Sequence, residues 1–259
     1  MSLQKSPIFK PGNILTHEML DALKNQSMNV EEMSYLGYSD GVLKGCNVTT
    51  AQGVLVVGKG IIIVKSKLYY NQNEVVLHIQ PTNSIQVIVV RASEEEINLD
   101  YAVREVKIMV VTESSMIPGD IEICRFRLQE GAFLRSVYRD FRDMDTEYDT
   151  VCLKYAKWAA YEKSSISLAI LKCFLHDAQK CNNLTEEDKS FLGRIAATDG
   201  KTLNAEEINM YLSWKLQNEY KDRSTSEMYR DLVAVLRLLQ CGKGSMMPRR
   251  LEPRKLIVD

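Results

Sequence analysis

The sequence predicts an α+β protein: an antiparallel β sandwich or barrel-like domain preceded by a short helix, then a helical bundle and an extended C-terminal arm. Three observations predict it. Between Leu36 and Arg127, short runs rich in β-branched and aromatic residues are broken by glycine, asparagine or proline, the punctuation of strands on tight connections. After Tyr148, apolar residues recur at helical spacing as far as Gln240. From Gly242 onward, Gly242, Gly244, Pro248 and Pro253 forbid a helix. The divisions that follow are 1–34 for an N-terminal helical segment, 35–130 for a β-rich domain, 131–147 for a connector, 148–241 for the bundle and 242–259 for the arm.

The first helix is expected to open at Thr16, whose side-chain oxygen can cap the amides that follow. Glu18 complements the positive end of the helix dipole, and Met19, Leu20 and Leu23 recur at helical spacing, carrying the helix to Met33. Strands are expected at 42–48, 54–57, 61–64, 67–70, 75–79, 85–90, 106–112 and 121–126. Gly41, Gly45, Gly53, Gly58 and Gly60 fall at their ends, and Asn71-Gln72-Asn73 makes a turn. Connections this short favour antiparallel meanders. Pro118-Gly119-Asp120 is expected to turn a further hairpin, leading into an alternating strand with Ile121, Ile123 and Arg125 on one face. The connector is charged and poorly periodic, with Arg135, Arg139, Asp140, Arg142, Asp143 and Asp145.

In the bundle, Val151, Tyr155, Trp158 and Ala159 form one helical stripe, and Leu168, Leu171, Leu175 and Ala178 a second. Thr185 with Asp188 begins a helix ending near Ala197. Asn204 with Glu207 forms a capping box for the helix holding Met210, Tyr211, Trp214 and Leu216. Ser224 or Ser226 caps the last helix, which carries Leu232, Val235, Leu236 and Leu239. Trp158 and Trp214, each with a tyrosine one turn earlier, read as core stripes.

Composition narrows the function. Thirty-three basic and thirty-four acidic residues leave a net charge of −1, so no global field favours nucleic acid or an anionic membrane as partner. No window reaches the roughly 18 apolar residues of a membrane span. The six cysteines form no CxxC pair and read as buried, reduced thiols. His17, His78 and His176 fall in three elements without a metal or triad signature, and His176 points away from its neighbour Asp177 on a helix. An EF-hand around Gly200 fails because Ile195 and Ala197 stand where carboxylates are needed. The run Gly53–Gly60 has the wrong spacing for a phosphate loop, and no Ser or Thr follows Lys59. No catalytic residue, metal or cofactor is therefore expected.

Ser39-Asp40-Gly41-Val42-Leu43-Lys44-Gly45-Cys46-Asn47-Val48, then Val54–Val64 and Leu68-Tyr69-Tyr70, and later Gly119-Asp120-Ile121-Glu122-Ile123-Cys124-Arg125, resemble an attachment domain of phage tail fibre and baseplate proteins. The similarity covers about residues 35–130; the glycine usual ahead of the third strand is replaced by Ser66 or Lys67. The resemblance implies a structural protein of a phage tail, or of a phage-derived contractile particle such as a bacteriocin, in its baseplate or fibre-attachment region. Its expected partners are other protein subunits of a large assembly, including copies of itself. It is expected to be made in the cytoplasm and incorporated into a virion or phage-tail-like particle. In the arm, Arg249, Arg250, Arg254 and Lys255 are expected to pair with acidic residues of a neighbouring subunit, and Leu256, Ile257 and Val258 to add to a strand edge. The alternative is a cytoplasmic adaptor or regulatory module that binds through its helical bundle.

Overall fold

Thr16 caps the first helix through a 3.3 Å bond accepted from the Met19 amide, and α1 runs His17–Ser34. The computed structural model describes residues 7, 9, 10, 12, 14–93, 96, 97, 102, 103 and 105–241. Eleven strands follow among them: β1 (Gly41–Gly45), β2 (Val48–Ala51), β3 (Val54–Val57), β4 (Gly60–Val64), β5 (Lys67–Asn71), β6 (Val75–His78), β7 (Ile85–Ala92), β8 (Glu96–Ile97), β9 (Ala102–Val103), β10 (Val106–Thr112) and β11 (Ile121–Arg127). All pair antiparallel, in three-stranded sheets ordered β1-β4-β5, β2-β3-β6 and β10-β7-β11, with β8 and β9 a separate pair. The α+β class therefore holds, with antiparallel sheets first and helices after them.

The path between strands is less local than the short connections suggest. The expected strand 42–48 splits at Gly45 (φ 75°) and Cys46 (φ 51°), where the chain leaves one sheet and starts another. A Cβ at Gly45 would lie 2.3 Å from the Lys59 carbonyl oxygen, so only glycine fits this approach of β1 to β4. Hairpins join β2 to β3 and β4 to β5, but β1 reaches across to β4 and β3 to β6, so the two sheets interleave.

Pro118-Gly119-Asp120 turns the chain without making a hairpin, because β10 and β11 lie on opposite sides of β7. The crossover is tied down by Arg91 of β7. Its Nε and Nη2 donate to the two oxygens of buried Asp120 at 2.8 and 2.7 Å, and this bond holds the Asp120 carboxyl below the usual range. Nor does β11 alternate: Ile121, Glu122, Ile123 and Cys124 are all buried.

The largest departure is at 149–166, where periodicity predicts helix and the chain is an irregular extended strap. Its amides are spent on distant strands: Cys152 donates to Arg125 O, Lys157 to Glu122 O and Ala159 to Val42 O, at 2.7, 3.0 and 2.8 Å. Val42 donates back to Lys157 O at 2.9 Å, so the strap stitches β11 to β1. Positive φ at Asp149 (53°) and Glu162 (61°) further excludes a continuous helix.

Helices begin at α2 (Leu168–Ala178), followed by α3 (Glu186–Ala196), α4 (Ala205–Lys215) and α5 (Thr225–Gln240). Capping boxes at Thr185/Asp188 and Ser224/Glu227 open α3 and α5. Asn204 stands at the N-cap of α4 but makes no cap bond. Its side chain accepts from the Tyr161 amide of the strap instead, and Glu207 is taken by Arg194 of α3 in a two-point bond of 2.7 and 2.9 Å. One buried cluster runs from Val42, Leu55 and Phe126 through Leu134, Phe141 and Met144 to Phe174, Ile208 and Leu236. The charged stretch 131–147 thus contributes core residues, two of them on a short 3-10 turn, Phe141–Asp145, capped by Asp140.

Candidate interaction surfaces

The expected partner-binding residues Arg249, Arg250, Arg254, Lys255, Leu256, Ile257 and Val258 lie outside the described residues. Among those described, α1 stands out. Met19, Leu23, Val30 and Met33 share one helical stripe, yet Val30 is 65% and Met33 75% exposed, and the flanking Ile14 and Leu36 are exposed too. At its root, Tyr35 and Tyr38 meet edge to face, Tyr38 meets Tyr161 of the strap, and the Lys201 ammonium lies 5.0 Å over Tyr35. The helix is anchored at one end and uncovered along its apolar side. Its last turn contains no basic residue.

A second exposed apolar group lies on α4, where Met210 and Trp214 are one turn apart and Tyr220 follows. Trp158 is buried as expected, but Trp214 is half-exposed, with the Lys215 ammonium 5.5 Å over its ring. Helical spacing alone could not separate these two tryptophans. The face of α4 that does pack carries Ile208, Tyr211 and Leu212, and Tyr211 stacks on Phe191 at 3.8 Å.

A cleft of about 230 Å³ lies between β11 and the strap, with Arg125, Arg127 and Lys154 in its wall. Arg125 grips Glu122 with Nε and Nη2, both at 2.7 Å, donates to Glu113 at 2.6 Å and lies 4.0 Å over the Tyr155 ring. Arg127 pairs with Glu147 and Lys154 with Asp145. Each of these cations thus has its own carboxylate, and the Arg125 guanidinium over Tyr155 ties β11 to the strap.

Of the six cysteines expected to be buried, Cys46 and Cys124 are; Cys152, Cys173 and Cys181 are half-buried, and Cys241 is exposed. Burial pushes Cys46 and Cys173 up to about 11, Cys152 upward and Cys124 well above the ordinary thiol range, so at neutral pH they stay protonated and poorly nucleophilic. His78 and His176 are exposed. His17, expected to have no carboxylate partner, lies 3.6 Å from Asp21 one turn along exposed α1. Among the described residues no three His, Cys, Asp or Glu side chains are grouped to hold a metal ion, and no helix is long and apolar enough to cross a membrane.

No family model matches the chain, and no curated protein matches it. Solved structures do. A chain in a crystal structure of TssK is 11% identical, with 92% of this chain and 72% of that one covered and a TM-score of 0.40. A chain of the type VI secretion system TssK-TssF-TssG baseplate subcomplex is 10% identical, with 91% and 99% covered and a TM-score of 0.44. A chain of the baseplate complex from the type VI secretion system is 9% identical, with 91% and 100% covered and a TM-score of 0.34.

Proposed function

We propose that this chain is a non-enzymatic structural subunit that docks into the baseplate or fibre-attachment region of a phage-tail-like contractile particle. The observation that carries the docking role is α1, an amphipathic helix anchored at Tyr35 and Tyr38 whose apolar stripe no other part of the described chain covers. The kind of particle is supported by the strand motifs Gly41–Val48 and Gly119–Arg125, which resemble attachment domains of tail proteins. The exposed Met210 and Trp214 of α4 favour a second reading, an adaptor that binds through its helical layer.

Immunogold labelling of particles sedimented from the native host tests the first reading with a tagged full-length chain. Label is expected at one end of sheath-bearing particles, and to be lost from them when Leu23→Glu and Val30→Glu are introduced together. A chain confined to the particle-free fraction would overturn it.

A further inference from the structure

We propose that α1 of one copy receives residues 242–259 of a second copy. The inference rests on the docking reading above and names the occupant of the same helix.

Charge selects that occupant. Over His17–Ser34, Glu18, Asp21, Glu31 and Glu32 stand against Lys24, a net −3. Over 242–259, Lys243, Arg249, Arg250, Arg254 and Lys255 stand against Glu252 and Asp259, a net +3. Two α1 helices laid together would repel, whereas this segment neutralises one of them. The end of α1 adds a second reason. In sequence Glu31 and Glu32 fall in its last turns, where the helix dipole is already negative and the helix has no basic residue of its own. Cations are favoured there, and Leu256-Ile257-Val258 supplies an apolar run to meet the Leu23, Val30 and Met33 stripe.

Position in the fold sets the root of α1 apart from the start of 242–259. The root of α1 meets Tyr161 and Lys201, beside the start of α2, where Thr202 Oγ1 donates to Ile166 O at 2.7 Å. The chain enters 242–259 from Cys241, at the far end of α2, where Gln240 shares a cleft with Asp177, Lys180 and Cys181. Those two ends are separated by the eleven-residue α2, about 16 Å at 1.5 Å per residue. The root of α1 and the start of 242–259 therefore lie near opposite ends of α2, which a head-to-tail contact between copies would bring together.

Sedimentation velocity of the full-length chain, of a chain truncated after Cys241 and of the Leu23→Glu/Val30→Glu variant tests this. The full-length chain is expected to self-associate, about tenfold more weakly at 0.5 M than at 0.05 M salt. Each variant alone is expected to stay monomeric with unchanged circular dichroism. Mixing the two should restore a complex, since one still offers α1 and the other still offers 242–259. Should a variant misfold, zero-length cross-linking of mixed ¹⁴N- and ¹⁵N-labelled full-length chains reads the contact directly, as mixed-isotope links between Lys243 or Lys255 and the acidic residues of α1. A monomeric full-length chain, self-association that survives truncation, or links within one isotope only would overturn the inference. If such a chain still labels the particles, the docking role stands and only this occupant falls.

Discussion

Asp143 is bound from four directions: by both terminal nitrogens of Arg135, by the Arg139 amide at 2.9 Å and by the Thr146 hydroxyl at 3.1 Å. The Arg135 bond, more than any other cause, holds its carboxyl far below the usual range. A carboxylate whose folded pKa is depressed contributes stability that is complete above its unfolded value, about 4, and is lost as pH falls toward the folded value. Asp143→Asn is thus expected to cost about 2 kcal/mol at pH 7. In urea unfolding the gap to the parent should narrow steadily below about pH 4, and a gap independent of pH would contradict this origin. Asp188 is a different case, fully buried against Lys215 Nζ at 2.6 Å and Tyr211 OH at 2.9 Å. Lys215→Met strands that charge and is expected to cost about 3–5 kcal/mol; a loss below 1 kcal/mol would mean that Asp188 is stabilised without it. Residue-level reading of the sequence succeeded where a side chain serves its own helix, as Thr185 and Ser224 do. It failed at Asn204, where the Tyr161 amide, 43 residues away, wins the same oxygen.

Among the elements, the strap shows most plainly what periodicity can and cannot detect. Val151, Tyr155, Trp158 and Ala159 are spaced as on a helix, but their burial comes from lying between β11 and β1. A side-chain pattern does not say where the backbone amides go. Hydrogen exchange should therefore show protection at Val151 and Cys152 and again from Ala156 to Ala159, whose amides donate to carbonyls of the strap and of distant strands, with a break at Leu153–Tyr155. Unbroken protection from Val151 to Ala159 would restore the helix. Strands were far more legible, since glycine and turn residues bracket most of them. Their partners were not, because β7 is flanked by β10 and β11 through a crossover that no local turn encodes.

Across the whole molecule, the α+β class was legible because the apolar period changes from two to 3.6 along the chain. The continuity of the core was not. Leu134, Phe141 and Met144 are isolated apolar residues among charges, and three anchors make no period. Phe141 nonetheless meets Phe174 at 5.5 Å and Tyr229 at 5.1 Å, and its amide donates to Asp177 at 2.8 Å. Phe141→Ala is expected to cost about 3–5 kcal/mol. Far-ultraviolet and tryptophan signals should then shift together in a single transition. Two separated transitions would instead support independent folding of the β-rich and helical halves. The uncovered side of α1 was also beyond the sequence, which marks a helix as amphipathic without saying whether anything lies against it.

The stitch from β11 to β1 has a consequence for synthesis. Val42 finds its partners at Lys157 and Ala159, so β1 emerges from the ribosome more than a hundred residues before its outer edge can be closed. Until then both β1 and β11 present unpaired strand edges, the template on which nascent chains join one another. A chain ending at residue 148 keeps every residue of β1–β11 and lacks the strap. It is expected to aggregate on refolding under conditions in which the full-length chain stays clear by light scattering, and a soluble, monodisperse fragment would show that the edges protect themselves. Productive folding of the sheets therefore waits for residues that belong to none of them.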